Sequence, residues 1–298
     1  MARETSCKAH LREDAAVLRV TAAACLCVLI AAGCGGSSAA RSVPVANRFD
    51  APAAYALVKR QLAYGPRPAG SSQLRRLAAV LKGALPHGRY ETVPHGLRNV
   101  VGTVPGRDPS SYVVVGAHYD TKDIPGFVGA NDGAAPAAVL VQLARTLKPR
   151  TVRPTVDFVL FDGEESPGNT PDSQFLQKGL RGSKVAARAY GGAEAMILLD
   201  FVGQRNLRLP REGFSDSGLW RKLRAAARSV GYAGVFPGTA GESIYDDHYP
   251  FLQRGVPSID LIDWPYSCYH LTCDDLSQIS LRSLDATGES VLQLLRTL

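Results

Sequence analysis

Residues 112–120 of the chain are Tyr-Val-Val-Val-Gly-Ala-His-Tyr-Asp, an apolar run that ends in a histidine and an aspartate. A strand that is covered on both faces needs such a nearly continuous apolar run, as the strands of parallel sheets do. We therefore predict a buried strand over residues 112–117, with His118 directly after it. In open α/β sheets, ligands bind outside the carboxyl ends of the strands, so His118 is the first candidate for a functional site.

The rest of the chain repeats this pattern of apolar strands separated by stretches with helical spacing. Strands that alternate with helices indicate an α/β fold, and we predict a three-layer α/β/α sandwich around a mostly parallel mixed sheet. The expected strands are residues 89–93, 97–104, 112–117, 155–161, 195–199 and 256–262. The expected helices are residues 53–63, 72–82, 134–147, 172–187, 217–230 and 281–295.

Acidic residues and a second histidine lie at corresponding places around the other predicted strands. Two adjacent glutamates follow the strand at 155–161, an aspartate ends the next strand, and a histidine lies in the loop after the last. A further aspartate, in Asn-Asp-Gly, opens the helix at 134–147. Since these places can meet at one edge of the sheet, we predict that they converge on one crevice. The residues are His118, Asp132, Glu164, Glu165, Asp200 and His270.

Imidazole nitrogens and carboxylate oxygens are ligands of zinc in proteins, and two zinc ions can share one bridging carboxylate. The chain offers one histidine and one further carboxylate for each of two ions. In that arrangement His118 and Asp200 would hold one ion, Glu165 and His270 would hold the other, and Asp132 would lie between them. The sequence therefore predicts one or two zinc ions as the cofactor.

Supporting and catalytic roles are predicted for residues near these ligands. Asp120 is placed to accept the other ring N–H of His118, which would fix the tautomer of a metal-bound imidazole. Glu164, beside a ligand, could shuttle protons. Asp246 is a candidate buried acid near the metal, whereas His248 is expected to be structural. Each motif alone has an ordinary interpretation, such as a turn for Asn-Asp-Gly, and only their joint order favours a metal site.

Composition limits the class of protein. The chain has 298 residues, of which 45% are hydrophobic, enough for one large α/β domain with a substantial core. The formal net charge is +7, but the basic residues are scattered along the sequence. Nucleic-acid binding predicts a basic stripe with aromatic residues between, so we expect no nucleic-acid partner. The sequence does not reveal the oligomeric state, and a monomer is the expectation.

The N-terminus is typical of an export signal. A basic region ends at Arg19, an apolar run over residues 20–32 is too short to span a bilayer, and small residues precede Cys34. This arrangement resembles a bacterial lipoprotein signal, in which the cysteine becomes lipidated. The departure is Ala31, where a leucine is more usual. Plain secretion and a retained anchor are the alternatives, and all three place the protein outside the cytoplasm.

The chain therefore divides into an export signal over residues 1–34, a flexible linker over 35–50 and a catalytic domain over 51–298. Beyond the export segment, the remaining cysteines are Cys268 and Cys273, which flank His270. In an exported chain a short-loop disulfide between them is plausible. Two free buried thiols are the main alternative, and Cys268 as a metal ligand is less favoured because the other candidate ligands are rich in oxygen.

Five motifs in this order resemble the zinc-dependent M28 peptidases, a superfamily that also contains the glutaminyl-peptide cyclotransferases. The match begins near residue 53 and extends to the C-terminus. Its implied fold is the sandwich described above, of the zinc aminopeptidase or phosphorylase/hydrolase kind. The motifs are Gly-Ala-His-Tyr-Asp at 116–120, Asn-Asp-Gly-Ala at 131–134, Phe-Asp-Gly-Glu-Glu at 161–165, Leu-Leu-Asp at 198–200 and Tyr-His-Leu-Thr at 269–272.

Other stretches are similar to the cyclotransferase branch, notably residues 118–122, 127–130, 171–173, 246–248 and 250–257. The cyclotransferase pattern implies a single zinc held by Asp132, Glu165 and His270. It makes Glu164 the proton shuttle, with Asp200 and Asp246 as hydrogen-bonded acids beside it. The aminopeptidase pattern uses the same positions and adds His118 and Asp200 as ligands of a second zinc.

Some residues depart from the cyclotransferase pattern. Asn131-Asp132-Gly133 is similar to the peptidases, Tyr269 replaces a tryptophan, and the loop at 166–170 lacks another tryptophan of the glutamine pocket. We expect an enzyme that acts on peptide or protein N-termini. Conversion of N-terminal glutamine to pyroglutamate is favoured, and aminopeptidase activity is the alternative. A surface-anchored binding protein with a vestigial site is a third hypothesis.

Overall fold

A computed structural model describes residues 48–168 and 170–298. Within them, six strands form one mixed sheet in the order β1-β2-β4-β3-β5-β6. The neighbouring strands β4, β3, β5 and β6 are parallel, while β2 pairs antiparallel with both β1 and β4. The bounds are β1 Arg89–Val93, β2 Leu97–Val104, β3 Asp108–His118, β4 Pro154–Phe161, β5 Met196–Leu199 and β6 Ser258–Leu261.

Helices cover both faces of this sheet. Helices α1, α2, α3, α6 and α8 contribute to the larger hydrophobic core on one face, and α5 and α7 contribute to a second core on the other. The bounds are α1 Ala51–Leu62, α2 Ser72–Ala84, α3 Ala135–Thr146, α4 Phe175–Lys178, α5 Arg181–Ala189, α6 Ser217–Ser229, α7 Tyr249–Leu252 and α8 Leu281–Leu295.

Strand β3 lies inside the sheet between β4 and β5. Side chains of a strand alternate between its faces, and accordingly Val113 and Val115 belong to the larger core while Val114 belongs to the second. All three are fully buried. The apolar run at 112–117 is therefore explained by packing on both faces, and the predicted three-layer α/β/α sandwich is confirmed.

The prediction of one continuous helix over residues 172–187 is wrong. The chain forms a short 3-10 turn at Asp172–Gln174, then α4, and a separate α5. Between them, Leu180 donates its backbone N–H to the carbonyl of Glu164 at 2.8 Å and adopts a left-handed φ of 54°. A tertiary contact with the candidate site thus interrupts a segment whose local spacing favours one helix.

The folded domain begins earlier than the predicted boundary at residue 51. Phe49 is only 5% exposed, and its backbone N–H donates to Glu289 at 3.0 Å. Asp50 caps α1 by accepting from the N–H of Ala53. Because both residues make these contacts, the assignment of residues 49 and 50 to a flexible linker is corrected. The export signal and Cys34 lie outside the described residues.

None of the helices in residues 48–168 and 170–298 combines the length and apolar character that crossing a membrane requires.

Packing of Phe49 on α8 gives a stability prediction. A Cβ added at Gly288 would lie 2.3 Å from the Phe49 ring, so Gly288→Ala should lower the free energy of unfolding by about 1–3 kcal/mol through overpacking. Gly83 in α2 has no atom within 4 Å of an added Cβ, and Gly83→Ala should be neutral or raise stability by up to about 1 kcal/mol. Urea unfolding measures both, and equal effects would contradict the packing described.

Candidate functional site

His118 ends β3 and points into a group of buried carboxylates. Its Nε2 atom lies 3.3 Å from Asp132 Oδ1 and 3.4 Å from Asp200 Oδ1. One ligand atom from each of these three residues lies within 4.8 Å of the others. All three side chains are buried, so the structure brings together the first predicted set of metal ligands.

A second group shares Asp132 with the first. His270 Nε2 lies 2.9 Å from Glu165 Oε1 and 3.7 Å from Asp132 Oδ2. Ligand atoms of these three residues also lie within 4.8 Å of one another. The predicted division into two sets around one common aspartate is therefore present in the geometry.

The donor atoms of these groups fit a divalent cation. Asp132 Oδ2 is buried and has no hydrogen-bond partner among the residues that the structure describes. A buried carboxylate oxygen is costly unless it is paired, and a cation between the groups would pair it. Imidazole nitrogen with carboxylate oxygen is a donor set that zinc takes.

Asp132 lies in a kinked turn over Ala130–Ala134 that leads directly into α3. Gly133 has a φ of +93°, and a Cβ there would lie 2.9 Å from the carbonyl oxygen of Asp120 and 3.1 Å from the ring of His118. The glycine thus permits the turn to pass close behind His118. The N-cap residue of α3 is Ala134, and the Asp132 carboxylate faces His118 and His270.

A buried cation, which the sequence did not predict, supports the segment that leads into this turn. Arg67 is fully buried and donates to the carbonyl oxygens of Val128 at 2.5 Å and Gly129 at 3.2 Å. Burial lowers the pKa of Arg67 to about 10, against the opposing effect of Asp132 and other acids. The only sequence signal was a basic residue inside the loop Gly-Pro-Arg-Pro at 65–68.

The two adjacent glutamates differ in protonation behaviour. Burial raises the pKa of Glu164 well above its usual range, and the neighbouring Glu165 raises it further. Burial also opposes ionisation of Glu165, but a hydrogen bond to His270 and the charges of His270 and Lys122 lower its pKa overall. Paired groups whose pKa values are pushed apart are typical of acid–base sites. Glu164 is therefore suited to take up and release a proton, and Glu165 to remain a charged ligand.

Asp120 has a different contact from the one predicted. Its Oδ1 lies 3.8 Å from His118 Nδ1, which is too long for a hydrogen bond. Its two oxygens instead accept from the backbone N–H groups of Glu164 and Glu165, each at 3.3 Å. The carboxylate thus lies between the histidine and the glutamate pair and holds the backbone of the pair.

Asp200 and Asp246 are two further buried carboxyl groups of the site. Burial raises the pKa of Asp200 to about 8, and the charge of Asp246 contributes. Asp246 is 4% exposed, and its Oδ2 has no hydrogen-bond partner among the described residues. His248, two residues on, lies outside the cleft lining with its Nε2 3.2 Å from Glu212 Oε2. This arrangement agrees with the expected structural role of His248.

A cleft of about 350 Å³ with aromatic walls lies at the site. The site residues that line it are Asp132, Glu164, Glu165, Asp200, Asp246 and His270. Tyr269 stacks on the His270 ring with their centroids 3.8 Å apart, and the Trp264 ring meets Tyr269 edge-on at 4.9 Å. A tryptophan therefore borders the cleft, although it comes from the loop after β6 and not from the loop at 166–170. Besides the site residues, the cleft is lined by Lys122, Phe175, Phe201, Glu242, Ser243, Ile244, Tyr245, Ile262, Trp264 and Tyr269.

Cys268 and Cys273 are joined by a disulfide, which decides between the two alternatives left by the sequence. His270 lies inside the loop that this bond closes.

Comparison with known proteins agrees with the geometry of the site. The sequence profile of peptidase family M28 matches residues 99–295. The chain belongs to peptidase family M28. The resemblance drawn from the motifs is thereby confirmed.

Among curated relatives, the glutaminyl-peptide cyclotransferases of Bothrops jararaca and Bos taurus are each 29% identical to this chain. Each alignment covers 61% of this chain and 61% of the relative. The M28 chain described here thus spans about three fifths of the length of the curated relatives that it matches.

Solved structures of similar fold include both kinds of protein that the motifs suggested. A glutaminyl cyclase from an Acidobacteriales bacterium is 28% identical with a TM-score of 0.74, over 86% of this chain and 96% of that one. A leucine aminopeptidase precursor from Bacteroides thetaiotaomicron is 25% identical with a TM-score of 0.76, over 86% of this chain and 100% of that one.

Proposed function

We propose that this M28 protein is a zinc-dependent enzyme that acts on peptide N-termini, as a glutaminyl-peptide cyclotransferase. The observation that carries the proposal is the position of Glu164. It is a partly buried carboxyl group with a raised pKa, and it lines the same cleft as Asp132, Glu165 and His270. The cyclotransferases among the relatives and similar structures support this choice of reaction.

Asp132, Glu165 and His270 would hold the zinc. When bound there, the zinc would supply Lewis-acid polarisation of the γ-amide carbonyl of an N-terminal glutamine. Glu164 takes a proton from the substrate's α-amine as its nitrogen attacks the γ-carbonyl carbon. Glu164 then gives a proton to the departing amide nitrogen, which leaves as ammonia. The product carries a pyroglutamyl N-terminus.

Asp200 and Asp246 orient this proton exchange in our proposal. Both carboxyl groups are buried in the wall of the cleft, and burial raises the pKa of each. A neutral carboxyl group can donate a hydrogen bond, whereas a carboxylate can only accept one. The pair can therefore present both a donor and an acceptor beside the reacting amine and Glu164.

A specific observation supports aminopeptidase activity as the second candidate. His118, Asp132 and Asp200 form a ligand group of their own, and the two groups together could hold two zinc ions. Glu164 would then take the proton from a water molecule that attacks the first peptide carbonyl. The leucine aminopeptidase precursor of similar fold supports this alternative.

A parallel assay tests the choice between the reactions. The purified protein is incubated with a glutamine-initiated peptide and with unmodified aminoacyl substrates, and the products are identified by mass spectrometry. Ammonia release with no loss of a residue supports the cyclotransferase. Release of the first amino acid contradicts it and supports the aminopeptidase.

The number of zinc ions is testable at His118. His118→Asn removes a ligand from only one of the two groups, so a cyclotransferase should keep one zinc per chain and most of its turnover. A two-zinc aminopeptidase should lose one zinc and most of its activity. Zinc content and turnover are measured together, with His95→Asn in an exposed turn as the control. Loss of all zinc from His118→Asn would contradict the single-zinc proposal.

The proposed location of the enzyme is outside the cytoplasm. Cys34 is the proposed lipidation site, which would give membrane contact through an anchor and a short tether. The disulfide between Cys268 and Cys273 supports an oxidising compartment. We expect the protein to be a monomer. The alternative to a lipid anchor is secretion of a form without the lipid. Mass spectrometry of the mature N-terminus would identify the modification.

A further inference from the structure

The segment of residues 266–274, which we call the clasp, contacts both groups of candidate metal ligands. It carries His270 inside the loop closed by the Cys268–Cys273 disulfide. It ends at Asp274, which is fully buried. The clasp therefore connects His270 with the turn that bears Asp132.

The disulfide constrains the backbone around His270. His270 has a left-handed φ of +53°, a conformation that is unfavourable for any residue with a Cβ. Cys268 is buried and packs with Phe201, Ile262 and Tyr266, so one end of the loop is anchored in a hydrophobic cluster. A covalent bond from that anchor to Cys273 limits how far the His270 backbone can relax.

Asp274 holds the other ligand segment. Its Oδ1 accepts from the backbone N–H of Asn131 at 2.8 Å, and its Oδ2 accepts from that of Asp132 at 3.0 Å. Its backbone carbonyl accepts from Ala130 at 3.1 Å. Three successive N–H groups of the Asp132 turn are thus bound by one residue. Tyr266, in the same segment, donates its hydroxyl to Asp274 Oδ1 at 2.8 Å.

We propose that the clasp positions the metal ligands, with the disulfide acting on His270 and Asp274 acting on the shared Asp132. This inference rests on the metal site of the proposed function. The proposal predicts different effects on zinc binding at the two ligand groups. Opening the disulfide should affect only the group that contains His270, whereas changing Asp274 should affect both groups.

A dithiol reductant would open the clasp chemically. The S–S bond breaks, the two cysteines each gain an electron and a proton, and the dithiol is oxidised to its own disulfide. The geometry thus makes zinc affinity at the His270 group sensitive to reducing conditions. Reduction of the wild-type protein gives a second test that needs no substitution.

The experiment isolates each ligand group before the clasp is changed. His118→Asn leaves the Asp132–Glu165–His270 group, and His270→Asn leaves the His118–Asp132–Asp200 group. The double change Cys268→Ser with Cys273→Ser is then added to each background. Zinc dissociation constants are measured by chelator competition, and the melting temperature of the zinc-free form is recorded for every variant.

In the His118→Asn background, the cysteine changes should weaken zinc binding by roughly 10–100-fold, the range typical for loss of a residue that orients a ligand. In the His270→Asn background, the zinc affinity that remains, which the single-zinc proposal expects to be much lower, should not change further with the same substitutions. A merely structural role for the disulfide would weaken both groups alike and would overturn the proposal. Reduction of His118→Asn by dithiothreitol should reproduce the effect of the cysteine changes, and unaltered zinc affinity after reduction would also overturn it.

Asp274→Asn keeps the size of the side chain but replaces an accepting oxygen with an amide that faces an N–H donor. It should weaken zinc binding by roughly 10–100-fold in both backgrounds. Tyr266→Phe removes one hydrogen bond to Asp274 but leaves both backbone contacts, so its effect should be smaller. Equal zinc affinity for Asp274→Asn and its parent would contradict the role of Asp274. Absence of zinc binding in the wild-type protein would instead contradict the proposed function.

Discussion

Glu164→Gln should lower turnover by about 100- to 10,000-fold, the contribution expected of a general acid–base group, while zinc stays bound. Glutamine has nearly the same shape but cannot take and return a proton. Glu164 belongs to neither ligand group, so its replacement leaves the donor atoms of both groups in place. The expected result is a folded, zinc-containing and nearly inactive protein with either class of substrate.

Turnover and zinc content must be measured on the same preparation. Glu194→Gln is a suitable control because Glu194 pairs with Arg153 on the protein surface, away from the cleft lining. Full activity of Glu164→Gln would remove Glu164 from both proposed reactions. Loss of zinc from this variant would instead indicate that Glu164 is a ligand.

Asp132→Asn should have the largest effect on metal binding. Asp132 is the one residue common to the two ligand groups among the described residues, and its Oδ2 is buried without a hydrogen-bond partner. Replacing a charged ligand removes attraction for the cation in both groups at once. We expect zinc affinity to fall by more than about 100-fold, beyond the effect typical of residues that only orient a ligand.

Chelator competition measures this change, and turnover should fall with zinc occupancy. Asp123→Asn, an exposed change of the same kind nine residues earlier, controls for the loss of one negative charge. The free energy of unfolding of the zinc-free protein should change little with Asp132→Asn, because burial, which raises the pKa of Asp132, opposes the favourable contacts of its charge with His118 and His270. Retention of zinc by Asp132→Asn at wild-type affinity would contradict the assignment of Asp132 as the shared ligand.

The sequence was sufficient for the parts of the fold that depend on local patterns. All six strands were predicted, four of them from apolar runs, and α8 was predicted at its observed bounds of Leu281–Leu295. The break between α4 and α5 was not predictable in this way. It depends on a backbone contact between Leu180 and Glu164, which only the folded chain brings together.

In the candidate site, too, features that depend on local sequence were predictable and long-range contacts were not. His118, Asp132, Asp200 and the glutamate pair could be placed because each lies near the end of a predicted strand or the start of a predicted helix. The contacts of Asp120 and Arg67 could not, because their partners are backbone groups of distant loops. Which charged groups become buried depends on how the whole domain packs. Composition therefore does not show that Arg67, rather than another arginine, is buried.

In our proposal, turnover at an N-terminal glutamine depends on zinc held at the carboxyl ends of the strands. The most direct measurement follows ammonia release from a glutamine-initiated peptide before chelation, after chelation, and after zinc is restored. We predict that activity disappears with the metal and returns in proportion to the zinc bound by the wild-type protein. Ammonia release that persists in zinc-free protein would contradict the claim.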